Sequence, residues 1–146
     1  MPPDNVAEMA RVSTAINIPV ATGERLYTRW MFRELLESQA ADYIQPDLCH
    51  CGGFNEGRKI AAMAETYHVR VLPHNPNGPI STLVGVHLGA CIANFEMLEY
   101  PRRPADEVSV LKQMPKVEDG YIEVPDGPGW GVELDEEVLA EFSPEE

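Results

Sequence analysis

Short apolar runs alternate along this chain with longer segments of helical spacing. Ile18-Pro19-Val20-Ala21-Thr22, Tyr43-Ile44-Gln45-Pro46, Val69-Arg70-Val71-Leu72-Pro73 and Phe95-Glu96-Met97-Leu98 read as buried strands. Asp4 is a candidate N-cap for a first helix carrying Val6, Met9, Ala10 and Ser13 and closing at Asn17. Thr28 is the candidate cap of a second, with Phe32, Leu35 and Leu36 as its inward stripe. The clearest helix runs over 53–68, with Ile60, Met63, Ala64 and Tyr67 on one face and Glu56, Arg58, Lys59 and Glu65 on a solvated one. After the turn-rich Asn75-Pro76-Asn77-Gly78-Pro79, Ser81 is expected to cap an apolar helix reaching about Cys91, in which Gly85 and Gly89 permit close approach to a neighbour. Continuous apolar strands separated by helices predict a parallel sheet with right-handed crossovers.

The pattern breaks after Tyr100, where Pro101 and Pro104 mark a boundary. A short helix is expected over 108–113, then two short strands around Asp119-Gly120, a Gly/Pro-rich loop over 125–131, and a last helix capped by Asp135 and running through Phe142. The expected fold class is α/β, a partial (β/α) barrel of about the last four βα units over 1–100 with an extension over 101–146. A complete barrel takes about 250 residues, and the chain has 146.

Composition narrows the partners. The net charge of −13 argues against nucleic acid or an anionic membrane, since both need a basic face. Met1-Pro2-Pro3-Asp4 shows no secretory signal, and no run approaches the roughly 18 apolar residues of a membrane span. Three cysteines fit a reducing compartment better than a disulfide framework, so a cytoplasmic location is expected.

Chemistry enters where the strands end. Glu24, Asp47, His74 and Glu99 close or follow the four apolar runs at intervals of 23, 27 and 25 residues. In a parallel α/β barrel such positions meet at one mouth. Glu24 suits an oxygen ligand to Mg²⁺, or equally a helix-terminal charge or a salt bridge to Arg25 or Arg29. Asp47 and His74, on neighbouring strands, are within reach of a hydrogen bond that would fix the imidazole tautomer and make His74 a general acid/base. The alternative is a structural histidine in the Pro73-His74-Asn75-Pro76 turn. Glu99 is placed to support negative charge developing on a substrate oxygen. Glu96 competes for that role, but strand alternation sets it on the opposite face. Cys49-His50-Cys51 lacks a second Cys/His pair at zinc spacing, and His50 is expected to line the pocket mouth. His68 and His87 read as structural, and Gly52-Gly53 is a weak anion motif.

Together, Ala21-Thr22-Gly23-Glu24-Arg25, Gln45-Pro46-Asp47, Pro73-His74-Asn75-Pro76, Leu98-Glu99-Tyr100 and Pro128-Gly129-Trp130-Gly131-Val132 resemble the C-terminal half of enolase-superfamily enzymes of the mandelate racemase/muconate lactonizing type. They stand close to the D-galactonate dehydratase-like acid-sugar dehydratases. The resemblance covers nearly the whole chain. It implies an essential Mg²⁺ with Glu24 as one ligand, Asp47 and His74 as a general-base dyad, and Glu99 hydrogen-bonded to the enediolate oxygen. The implied reaction removes the proton α to a sugar-acid carboxylate and eliminates water. A racemase or cycloisomerase of the same superfamily is the alternative enzyme, and a vestigial or association domain the non-catalytic one.

The family's remaining metal carboxylates and its capping domain would precede Met1. The 101–146 extension is expected to pack on that cap in a full-length enzyme. The chain by itself is therefore expected to lack dehydratase activity, and to associate with itself or with a complementary barrel half.

Overall fold

A computed structural model describes residues 5–101, 109–114 and 116–142. The elements run α1 (Val6–Ala15), β1 (Ala21–Thr22), α2 (Thr28–Glu37), β2 (Tyr43–Ile44), α3 (Phe54–Thr66), β3 (Arg70–Val71), α4 (Pro79–Cys91), β4 (Val117–Glu118), β5 (Tyr121–Ile122) and α5 (Glu136–Glu141). Three parallel strands in the order β1-β2-β3 form the main sheet, with Thr22, Ile44 and Val71 in one row of the register and Ala21, Tyr43 and Arg70 in the other. The fourth apolar run continues the sheet only as a parallel bridge between Val71 and Phe95. Among the described residues the sheet does not close into a barrel.

Helices cover one face of this sheet. Thr22, Ile44 and Val71 are buried there with Phe32, Leu35 and Leu36 of α2, Ile60, Ala61 and Ala64 of α3, and Leu88 of α4. The other row is open: Ala21 and Arg70 are exposed and Tyr43 is half-buried. Strands expected to be apolar on both faces thus alternate. Arg70 on that face is tied to Glu96, Nε to Oε2, at 2.6 Å. Residue 96 stands beside 95, which pairs in the covered row, so alternation puts Glu96 on the open face.

Small residues set how closely the last run approaches α4. A Cβ on Gly85 would stand 2.6 Å from Leu98 Cδ1, and one on Gly89 would stand 2.9 Å from Phe95 Cε2. Only glycine lets the segment leading to Glu99 lie against this helix.

Several local expectations give way to longer-range contacts. Asp4 lies outside the described residues, and Asn5 is the observed cap of α1, accepting from Glu8 N at 3.2 Å; the helix ends at Ala15 rather than Asn17. Thr28 does not cap α2. It opens the helix at φ 59°, and its N–H donates to the Cys51 carbonyl. Ser81 does not cap α4 either. It is buried inside that helix, which starts at Pro79, where the missing N–H costs nothing. Tyr67 is exposed and Gly57 and Ala61 take its place on the inner face of α3.

The part of the expected 108–113 helix that is described is not helical. Leu111 bridges antiparallel to Leu134, with Lys112 N donating to Glu133 O and Asp135 N to Val110 O. The hairpin at Asp119-Gly120 forms as β4–β5, and Asp135 caps α5 by accepting from Val138 N at 3.2 Å. The closing Trp130 returns to the helices. Its ring packs on Phe54 at 5.5 Å and His87 at 5.2 Å, and its carbonyl lies 3.1 Å from His87 Nε2.

Candidate active site

The parallel register aligns the two central groups. Asp47 and His74 each lie three residues beyond the Ile44–Val71 pair, at one level past the strand ends. Their side chains meet, Asp47 Oδ2 standing 3.0 Å from His74 Nδ1. Asp47 is almost fully buried, at 1 % exposure, yet well supplied with donors. Cys49 N donates to its Oδ1 at 2.7 Å, and Asn77 Nδ2 to Oδ1 at 3.2 Å and Oδ2 at 3.0 Å. With Asp47 as acceptor, the imidazole carries its proton on Nδ1 and leaves a lone pair on Nε2. Nε2 points to Glu99, whose Oε2 is 3.9 Å away. Glu99 Oε2 is itself held by Asn75 N at 2.9 Å. Asn75, buried, ties the same loop inward through Nδ2 to Glu99 O and Thr82 Oγ1.

Both ring nitrogens of His74 thus face carboxylates from other strand ends, so the imidazole is tied to more than its own turn. Glu96 is excluded from the site by its pairing with Arg70. In the sequence Asn77 is a turn residue only. Its asparagine type at a loop position offered no separate signal of a contact 30 residues away.

Glu24 follows Gly23, whose φ of 132° turns the chain at the end of β1. A Cβ there would stand 2.8 Å from Phe32 Cε1, so glycine is required on both counts. Among the described residues Glu24 is half-buried and makes no hydrogen bond or ion pair, so neither Arg25 nor Arg29 claims it. Arg29 instead pairs with Glu56 at 2.6 Å. An uncommitted carboxylate at a strand end fits one corner of a Mg²⁺ site. It fits one corner only: no group of three His, Cys, Asp or Glu among the described residues could hold a metal ion.

Among the described residues Cys49-His50-Cys51 joins no group of three side chains that could hold a metal ion. Cys51 is buried, and burial, followed by the charges of Asp47 and Glu56, pushes its thiol up to about 11. His50 is exposed near Tyr27, their ring centroids 6.3 Å apart. Glu56 has its carboxyl held below the usual range, chiefly by the Arg29 backbone N–H and then, against some desolvation, by the Arg29 charge.

Residues 1–138 match the family model described as enolase C-terminal domain-like. The D-galactonate dehydratase of Ralstonia pickettii is 37% identical over 93% of this chain and 37% of its own length. The D-xylonate dehydratase of Haloferax volcanii is 36% identical over 92% and 33%, and the D-galactarolactone cycloisomerase of Agrobacterium fabrum 33% over 96% and 39%. Among solved structures, an enolase from Agrobacterium radiobacter bound to Na and L-malate superposes with a TM-score of 0.89 at 41% identity, over 97% of this chain and 40% of that one. A mandelate racemase/muconate lactonizing enzyme-like protein from a Roseovarius species gives 0.90 at 44% identity, over 99% and 36%. The chain thus spans little more than a third of the curated relatives it matches. It belongs to the enolase C-terminal domain-like family, and its structural neighbours are enzymes of the mandelate racemase/muconate lactonizing type.

Proposed function

We propose that this chain is the C-terminal barrel portion of an acid-sugar dehydratase of the galactonate type. One observation carries the reading: His74, with Nδ1 on Asp47 and Nε2 free toward Glu99 across 3.9 Å. A base and an acid or hydrogen-bond partner on either side of one small gap suit proton abstraction next to a carboxylate. His74 Nε2 takes the proton α to the sugar-acid carboxylate. Asp47 holds the ring and offsets the positive charge it gains. Glu99, as a neutral acid, donates a hydrogen bond to the oxygen on which negative charge develops, and the β-hydroxyl departs as water by taking up the proton His74 carries.

A divalent ion, Mg²⁺ with Glu24 among its ligands, would supply charge stabilisation at the substrate carboxylate when bound. On this reading residues 1–100 are the last four βα units of a barrel, and residues 101–146 an extension toward a capping domain. The further ligands and the cap belong to sequence this chain does not carry. It is then inactive alone, and its open sheet edge and face associate with a complementary barrel half or with a second copy.

A chimera tests this. Substituting the chain for the matching segment of the Ralstonia pickettii enzyme should give Mg²⁺-dependent formation of a 2-keto acid from a sugar acid, abolished by His74→Asn. A folded chimera that neither dehydrates a sugar acid nor exchanges its α-proton with solvent would overturn the proposal. Substantial turnover by the 146-residue chain would overturn its incompleteness. The cycloisomerase relative favours the second reading, a cycloisomerase sharing the same proton abstraction; α-proton exchange without water loss would select it.

A further inference from the structure

Asp47 receives more donors than its bond to His74 requires. A carboxylate needs one oxygen on the imidazole to fix the ring, yet Asn77 Nδ2 sits across both Asp47 oxygens, at 3.2 and 3.0 Å. The acceptor-only carboxylate fixes which end of the amide faces it: the NH₂ group. Asn77 reaches back from the loop before α4, three residues beyond His74 itself. The Asp47 carboxylate is thus gripped from three sides, by Cys49 N on Oδ1, by His74 Nδ1 on Oδ2, and by Asn77 on both.

A terminal carboxylate torsion is soft, with a broad, roughly two-fold preference. One donor on Oδ1 leaves the group free to swing about that contact. A second donor shared by both oxygens fixes the plane and keeps Oδ2 aimed at Nδ1. Burial raises the value of that alignment, because no water replaces a lost partner cheaply. The charged groups facing His74 within 4.0 Å, among the described residues, are Asp47 from the end of β2 and Glu99 from the segment beyond Phe95. They act on opposite nitrogens. If Asp47 turned away, Glu99 would be the nearer acceptor, and the ring proton would move to Nε2, where it blocks a base.

We propose that Asn77 is a positioning residue, which orients the Asp47 carboxylate and so keeps the His74 proton on Nδ1 and its lone pair on Nε2. The importance of Nε2 rests on the proposed proton abstraction; the contact and the tautomer do not.

The test reads the tautomer without substrate. Imidazole ¹⁵N shifts of the full chain, at a pH where His74 is neutral, should show it mainly as Nδ1–H. Asn77→Ala should lower the Nδ1–H to Nε2–H ratio of His74 by about two- to tenfold, the size expected from losing one orienting hydrogen bond. Asn77→Ser, which keeps a single donor, should lower it less. His50, His68 and His87 should not change. A wild-type protein with neutral His74 mainly as Nε2–H overturns the proposal, as does a folded Asn77→Ala variant with the wild-type ratio. Unfolding of both variants, seen by circular dichroism, would make Asn77 a structural residue and also overturn it. An inactive chimera would sink the dehydratase reading and leave this result standing.

Discussion

His74 Nε2 and Glu99 Oε2 stand 3.9 Å apart, too far for a hydrogen bond and close enough for one substrate group to touch both. Neither is free to close the gap unaided, since Asp47 holds the ring from behind and Asn75 N holds the carboxylate.

In the chimera, Glu99→Leu keeps much of the bulk and removes the hydrogen-bonding group. The substitution is expected to lower kcat by about 10²–10³-fold, the scale for losing one stabilising contact to developing charge, with a smaller change in KM. Steady-state kinetics on the sugar acid decide it. Equal losses in binding and turnover would mean that Glu99 merely holds substrate.

Gly23→Ala should destabilise the protein by about 1–3 kcal/mol, through positive φ and overpacking against Phe32. Urea denaturation measures the loss. A change under about 0.5 kcal/mol would show that β1 relaxes around the new methyl group.

The cysteines should separate by reactivity. Cys49 and Cys91 are exposed, and Cys51 is buried with its thiol pushed up to about 11. At pH 8 a maleimide should label the first two in the folded protein and Cys51 only after unfolding. A thiol raised in the folded state favours folding below the ordinary value of 9.0, and that contribution is lost as pH climbs from there toward 11. Cys51→Ala should flatten this alkaline part of the stability profile.

Glu56 works at the other end of the pH scale. Its carboxyl is held below 4.5, so its contribution is present above that value and lost as pH falls through the lowered one. Glu56→Gln should weaken the acid-side fall in stability followed by thermal melts. An unchanged acid limb would mean that the Arg29 pair adds nothing.

The same residue shows what the sequence could and could not reveal. Glu56 accepts from Arg29 N at 2.9 Å, so the N-terminus of α2 is capped by a side chain 27 residues away on α3. A capping rule looks at the nearest residues and selects Thr28. Leu111 likewise pairs with Leu134 rather than forming a helical turn, a partner no local window contains. Asp47 and His74 were legible because strand ends in a parallel sheet carry their own address. Each lies three residues past a register pair, and local patterning finds the strands. Asn77 was not, since the loop that carries it is specified by its neighbouring prolines and glycine, while its contact is with a different strand end.

The Asn75–Glu99 bond has a mechanical consequence. Asn75 directly follows His74, and its N–H grips the carboxylate that His74 faces. Base and partner therefore ride on one peptide unit. A shift of the loop after β3 carries both together and preserves the gap, whereas a change that moves one side chain alone must first break this link. The pair will tolerate displacement of the whole loop better than a local disturbance inside it, so the two groups cannot be retuned separately.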